Sequence, residues 1–356
     1  KVVVRPDNRP IHFKMNNRFK AVVILLFLCL PRPVFSQIKA DSLSLRLMFY
    51  NVENLFDTKD DSLSDDIEYL PGGLMRWNIS RYKTKLNDIS KVIIAAGAWN
   101  PPAVVGLCEI ENKDVLGDLV YGTPLSAFGY GIIHEESPDP RGIDVAMIYR
   151  RDIVSVIDHC LLIPENAIGE EFRSRGVLYA RCLVYGDTLH MLFNHWPSRR
   201  GGVLAAEGMR ERVAMMLKNS VDSICKVSKG EARILVLGDF NCTPSDQVMS
   251  GLTSHGMADG CTLVNLTDHK MAEQAGTYRY QGTWEKIDQV IVSENMLNRM
   301  DGVTTRPENF RIFSPDFLLK DDQKFPGRLP FSTYRGYSYQ GGFSDHLPVL
   351  LDLEFH

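Results

Sequence analysis

Eight short apolar runs punctuate the chain: L-R-L-M-F-Y-N from Leu45, A-V-V-G-L-C-E from Ala103, D-V-A-M-I-Y from Asp144, V-L-Y-A-R-C-L-V-Y from Val177, H-M-L-F-N-H-W from His190, R-I-L-V-L-G-D-F from Arg233, K-I-D-Q-V-I-V-S from Lys286 and L-P-V-L-L-D-L from Leu347. Each has strand length, is rich in β-branched or aromatic residues and is closed by polar or turn residues. Between them lie segments with apolar residues every three or four positions, most clearly at 80–98 and 204–226, the period of amphipathic helices. Strands and helices interleave throughout, which predicts one α/β domain of two packed sheets flanked by helices.

Polar residues recur at the ends of these strands. Asn51 and Glu53 follow the first, Glu109 the second, Asn194 and His195 the fifth, and Asp239 and Asn241 the sixth; Asp288 lies in the seventh, while Asp345 and His346 precede the last. Loops at strand ends converge on one rim of a rigid scaffold, where binding and catalytic groups collect. A cap or a turn explains any one of these residues, the S-D-H of Ser344 to His346 included. It does not explain the whole set.

Composition adds little to this picture: 44% of residues are hydrophobic and 24% charged, which excludes fibrous and disordered classes. The N-terminal region adds more. Met15-Asn-Asn-Arg-Phe-Lys20 leads into A-V-V-I-L-L-F-L-C-L and then P-R-P-V-F-S-Q. A basic start, a short apolar stretch and Val34-x-Ser36 before Gln37 have the form of a secretory signal peptide over residues 15–36. A membrane anchor would need about twenty apolar residues, and bulky Leu28 opposes a lipoprotein reading of Cys29. Residues 1–14 are expected to lie upstream of a true start at Met15, and 37–356 to form the single mature domain.

Of the 40 basic and 44 acidic residues, seven and one fall within residues 1–36, so the mature chain carries 33 against 43, a net charge of −10. That excludes a globally basic nucleic-acid binder. Six of the seven cysteines lie beyond residue 36, an even number that an oxidising compartment could pair. Cys108, Cys182 and Cys242, set in apolar runs or in a polar motif, are expected to be buried free thiols.

The motifs F-Y-N-V-E-N, G-L-C-E-I-E-N, N-H-W-P, G-D-F-N-C-T-P, K-I-D-Q-V-I-V-S and F-S-D-H-L-P-V stand in this order between Leu45 and Phe355. So arranged, the chain resembles the endonuclease/exonuclease/phosphatase superfamily of DNase I-like hydrolases; the last three motifs are the most specific. The resemblance implies a four-layer α/β sandwich with two packed mixed sheets flanked by helices. It also implies a metal-dependent phosphoric ester hydrolase using Mg²⁺, or Mn²⁺ in its place.

Phosphodiester hydrolysis needs an oxygen-rich metal site, a base for water and donors to the non-bridging oxygens. Glu109 suits the metal, since Mg²⁺ takes one or two carboxylates and keeps several waters. The resemblance adds Asn51, places Glu53 where several relatives have a second acidic ligand, and puts Asp345 toward the metal. Asp239 and Asn241, two apart on an extended segment, would point to the same side; the resemblance makes Asp239 the general base and Asn241 a transition-state contact. It makes His346 a phosphate-facing cation oriented by Asp288. His195 matches a second phosphate-facing histidine, at a position where abasic-site endonucleases carry Tyr. Outside these motifs, Arg141 and Arg200 are candidates for substrate phosphate. Tyr334, Tyr337 and Tyr339, in a long loop over residues 307–343, would stack on a base or headgroup or pack on the body.

The leading expectation is a periplasmic or secreted, Mg²⁺-dependent phosphodiesterase, endonuclease-like, with nucleic acid as substrate and no transmembrane segment in the mature chain. The acidic balance keeps a phospholipid or small-molecule phosphoesterase open. A third reading, a non-catalytic phosphate-binding protein on the same fold, would be expected to have lost Asp239 or a histidine.

Overall fold

The computed structural model describes residues 43–356 except 63, 99, 166–170, 199–202, 254–260, 269–275 and 300. The signal-peptide reading of 15–36, the reading of 1–14 and the candidate Arg200 therefore lie outside the described residues. The chain begins with β1 (Leu43–Leu55), α1 (Ile79–Ala96), β2 (Val104–Ile110), α2 (Lys113–Gly122), β3 (Tyr130–His134) and β4 (Asp144–Arg150). It continues through β5 (Val154–Leu162), β6 (Val177–Val184), β7 (Asp187–His195), α3 (Val203–Val227), β8 (Arg233–Asp239), α4 (Gln247–Thr253) and β9 (Leu263–Asn265). A hairpin of β10 (Tyr278–Tyr280) and β11 (Thr283–Glu285) precedes β12 (Asp288–Ser293). Last come β13 (Val303–Thr304), β14 (Phe310–Ile312), the small hairpins β15 (Leu319–Asp321) with β16 (Arg328–Pro330) and β17 (Tyr334–Arg335) with β18 (Ser338–Tyr339), and β19 (Val349–Phe355).

Two large sheets result. One has the order β13-β19-β1-β2-β4-β3, with β14 also on β19; the other runs β5-β6-β7-β8-β12-β9. Neighbours are antiparallel except β1 with β2 and β7 with β8. The two sheets pack face to face, and Gly106 on β2 lies at their contact. A Cβ there would stand 2.3 Å from the Phe193 ring of β7 and 2.9 Å from that of Phe49 on β1, so only glycine lets these sheets approach so closely.

Helices cover the outer faces. On the first sheet, α1 buries Leu86, Ile89, Val92 and Ile93, and α2 buries Val115, Leu116 and Leu119. On the second, α3 packs Val213, Leu217 and Val221 over Leu192, Val236 and Ile291. Side-chain caps start the first two helices: Asn78 accepts from the N–H groups of Ser80 and Arg81, and Asn112 from those of Asp114 and Val115. These bonds satisfy donors that the first helical turn leaves unpaired.

The result is the expected four-layer sandwich. A disulfide joins Cys225 of α3 to Cys261 ahead of β9, while Cys108, Cys182 and Cys242 are buried thiols outside any disulfide, as the sequence led one to expect. Among the described residues, no helix is long and apolar enough to cross a membrane.

Candidate active site

Strand register assembles the site. In the second sheet, Asp239 at the end of β8 sits between His195 on β7 and Asp288 on β12, paired directly with each. In the first sheet, Asn51 on β1 pairs with Cys108 on β2, one residue before Glu109. The turn before β19 brings in Asp345 and His346. It is pinned at Ser344, whose hydroxyl donates to the Asn51 carbonyl at 2.7 Å and accepts from His346 N–H at 3.1 Å. Glu109, Arg141, His195, Asp239, Asn241, Asp345 and His346 line one cavity of about 460 Å³.

His346 Nδ1 lies 2.7 Å from Asp288 Oδ2, and its Nε2 lies 3.8 Å from Asp239 Oδ2. Burial alone would lower the imidazole pKa, but Asp288 and Asp239 outweigh it and hold His346 well above the ordinary histidine range. It is an imidazolium at neutral pH, donating to Asp288. His195 is the opposite case. Burial, then Arg175, Arg141 and His346, push it well below that range, so it is a neutral ring, with Nε2 3.7 Å from Asp239 Oδ2 and 3.9 Å from Glu109 Oε1.

Burial raises Asp239 to about 7, with His346 opposing and Asp288 reinforcing the shift. Its Oδ1 accepts the Asn241 N–H at 2.9 Å and its Oδ2 the Asn51 amide at 3.1 Å. The sequence reading of an extended Asp239-x-Asn241 needs correction here. β8 ends at Asp239, Asn241 adopts φ +49, and the bond from its N–H to the Asp239 carboxylate closes an Asx turn. Both residues reach the cavity because of that turn. Asn241 is fixed further by Nδ2, which donates to the Trp196 carbonyl at 2.9 Å.

The expected metal set divides. Glu109, in a left-handed conformation (φ +63), turns its carboxylate into the cavity and accepts the Asn54 N–H at 2.9 Å. Burial raises Asp345 above the usual carboxylate range, His346 pulls it down and Glu109 pushes it up again. Glu109 and Asp345 thus bring two hard oxygen donors to one cavity, and a divalent cation would relieve their repulsion; the donor set fits. Asn51 stands beside them with its amide nitrogen toward Glu109 (3.4 Å) and Asp239, while its oxygen accepts the Glu53 N–H. A further cluster whose ligand atoms all lie within 4.8 Å of one another, Asp239, Asp288 and His346, is held by the histidine ion pair.

Glu53 is turned away from the cavity, contrary to its expected place as a second ligand. Its carboxylate accepts the N–H groups of Thr333 and Tyr334 at 2.6 and 2.9 Å, because the left-handed backbone at Glu53 and Asn54 redirects the chain after Asn51. Tyr334 and Tyr339 pack on the body: the Tyr334 hydroxyl donates to the Met75 carbonyl, and the Arg81 guanidinium lies 4.3 Å from the Tyr339 ring centroid. Tyr337 is exposed.

Sequence reasoning passed over several residues around the site. Tyr278, Tyr280 and Glu285 of the β10-β11 hairpin line the cavity, and the Tyr278 ring centroid lies 4.9 Å from that of His346. Buried Lys85 of α1 donates to Thr333 Oγ1 and to the Phe343 carbonyl. The only sequence signal for Lys85 was a lysine on the apolar face of a helix.

The sequence profile of the endonuclease/exonuclease/phosphatase family matches residues 46–355, and the chain belongs to that family, whose members are phosphoester hydrolases. No curated protein matches the sequence. Solved structures share the fold. An endonuclease/exonuclease/phosphatase from Bacteroides vulgatus is 18% identical with a TM-score of 0.55, over 88% of this chain and 100% of that one. The human Nocturnin catalytic domain with bound sulfate anion is 16% identical with a TM-score of 0.54, over 88% and 96%. A mannosyl-6-phosphatase from Bacteroides thetaiotaomicron is 16% identical with a TM-score of 0.53, over 87% and 100%.

Proposed function

We propose that this protein is a Mg²⁺-dependent phosphodiesterase of the extracytoplasmic space, acting on nucleic acid as an endonuclease. One observation carries the reading. A cation held by a buried carboxylate (His346 on Asp288), a carboxylate near neutrality (Asp239) and the paired acids Glu109 and Asp345 all meet in one cavity.

Glu109 and Asp345, with Asn51 beside them, would hold the metal, which supplies charge neutralisation at the phosphoryl oxygens. Asp239 orients a water and takes its proton, a role for which a pKa near 7 is well matched. His346 donates from Nε2 to a non-bridging oxygen, where an imidazolium stabilises the charge that develops. The remaining amide hydrogen of Asn241 and the neutral ring of His195 supply further contacts on the same side.

Glu109→Gln keeps the shape and removes a charge, so the Mg²⁺ concentration for half-maximal rate should rise by at least about 10-fold, the lower end of the effect of altering groups around a metal. An unchanged metal titration would remove Glu109 from the site. The function itself is tested by a panel at fixed Mg²⁺, with and without EDTA: plasmid DNA, RNA, sphingomyelin, sugar phosphates and bis-p-nitrophenyl phosphate. EDTA-sensitive cleavage of plasmid and of the diester is expected, and a chain that hydrolyses none of them is not the enzyme proposed.

A second reading, a phosphatase for a small hydroxylated ester, is favoured by Glu285 and Tyr280 in the cavity wall. They offer acceptors to hydroxyls, and Glu285 repels a polyanion; hydrolysis of sugar phosphates alone would establish it. The extracytoplasmic placement is supported by the Cys225–Cys261 disulfide, a bond that persists in oxidising compartments, and by the signal-like residues 15–36. The exported product should begin at or near Gln37 on N-terminal sequencing. Recovery of a cytoplasmic chain retaining Met15 would refute that placement.

A further inference from the structure

Beside the catalytic cavity lies a second, shallower one of about 280 Å³, and the two share Arg141 and Ser198 in their walls. Arg173, Ser174, Arg175 and Asp139 complete its polar lining. Its charge is unbalanced. Asp139 is the sole carboxylate of the lining, and both its oxygens are committed: Oδ1 accepts from the Arg141 N–H at 2.9 Å and faces Arg141 Nε at 3.4 Å, and Oδ2 accepts from Arg175 Nη1 at 2.8 Å.

Three guanidinium groups therefore face one carboxylate, and a fourth lies behind the wall. Arg210, 6% exposed, donates to the carbonyl of the lining residue Pro197 and has no carboxylate partner among the described residues. Arg175 is also buried, at 5% exposure, and its Nε has no hydrogen-bond partner among them. Arg173 is exposed and has neither a hydrogen-bond nor an ion-pair partner among them. Guanidinium groups in excess of the one carboxylate are costly to bury unless an anion completes the set, and forked guanidinium donors match phosphate oxygens.

We infer that this second cavity binds a second phosphate group of the substrate, next to the one hydrolysed, so that the preferred substrate carries two neighbouring phosphates. The inference rests on the phosphoesterase reading and deepens it. An oligonucleotide provides such a pair in consecutive backbone phosphates, and a small bisphosphate provides it on one scaffold. Arg141, in both walls, spans the two positions, while Arg173 contacts the second phosphate alone.

The test compares bis-p-nitrophenyl phosphate, with one phosphate, against the dinucleotide pdTpdT and against glucose 1,6-bisphosphate, using wild type and Arg173→Ala. The wild type should prefer at least one two-phosphate substrate, and the arm preferred identifies the source. Arg173→Ala should cut that kcat/KM preference over the one-phosphate diester by about 10-fold, mainly through KM, as expected for losing one charge-assisted contact. For an oligonucleotide it should also reduce the salt slope of binding by roughly 0.7, one phosphate contact on a single strand.

Titration calorimetry with inorganic pyrophosphate in EDTA provides a readout free of catalysis: Arg173→Glu should abolish binding that the wild type shows. Arg173-dependent pyrophosphate binding without hydrolysis of any ester would keep the second site and sink the phosphoesterase reading. Hydrolysis with an unchanged substrate preference in Arg173→Ala, or pyrophosphate binding indifferent to Arg173→Glu, would overturn the second site.

Discussion

Replacing His346 by Ala, or Asp288 by Asn, should each lower kcat by about 10²–10³, the loss expected for one preorganised electrostatic group. The double variant should be little worse than either single, because groups that act as a unit are not additive. The geometry behind this expectation is a 2.7 Å contact between His346 Nδ1 and Asp288 Oδ2 in a buried site. Asp288 Oδ1 has no other partner among the described residues, so the carboxylate serves the histidine and little else.

The pH profile gives an independent check. His346 is held well above the ordinary histidine range, so its imidazolium persists through neutral pH and the rate falls only as pH rises through that raised value. Asp239 must be ionised to accept a proton, and it sits at about 7, so the acid limb climbs through that region. Asp288→Asn removes the strongest support of the imidazolium, so the alkaline limb should move to lower pH; the acid limb should move the same way, because the Asp288 charge also helps to raise Asp239. Fully multiplicative losses in the double variant, with an unmoved alkaline limb, would show that Asp288 works apart from the histidine. Asp345→Asn with His346→Ala would then be the cycle to measure.

The eight apolar runs of the sequence became β1, β2, β4, β6, β7, β8, β12 and β19, which are the inner strands of both sheets. They were legible because strands buried on both faces read as continuous apolar stretches. The edge strand β5 was not: its burial alternates weakly, with Ser155 and residues 157–160 largely open to solvent, so no apolar run marked it. The small strands β10 and β11, which carry Tyr278, Tyr280 and Glu285 into the cavity, are three residues each, too short for any period to register.

The candidate site was legible for a related reason. Asp239, Asp288 and His195 stand in register at strand ends, so their order along the chain carries their neighbourhood. Glu53 misled because its direction is set by positive φ at two successive residues, a conformation that local composition does not announce for Glu and Asn. The role of Lys85 could not be read from its place on the apolar face of a helix. Its partners Thr333 and Phe343 are about 250 residues away along the chain, and only the folded topology brings them together.

That lysine gives the largest expected effect on stability. Lys85 and Glu53 are both buried, at 1% and 8% exposure, and they meet at Thr333: Glu53 accepts its N–H, and Lys85 donates to its hydroxyl. Together they fasten the segment that ends in Asp345 and His346, so they hold that turn of the candidate site without lining the cavity. Lys85→Met leaves Glu53 buried without its counter-charge and should destabilise by about 3–5 kcal/mol, as for other broken buried pairs. The double variant Lys85→Met with Glu53→Gln should recover part of that loss, since no lone charge remains.

The pH dependence separates this account from simple loss of packing. Burial, with Asp345, raises Glu53 to about 7 against Lys85 and the two backbone bonds. A carboxyl raised in the folded state contributes stability that is present below its unfolded pKa and lost as pH rises through the folded value. Removing Lys85 raises Glu53 further, so Lys85→Met should lose more stability at pH 8 than at pH 5, where Glu53 is protonated and neutral. Urea denaturation at the two pH values measures this directly. An equal loss at both, or a double variant as unstable as the lysine variant alone, would mean that Lys85 acts through packing, and Glu53 would then have to be explained by its bonds to Thr333 and Tyr334 alone.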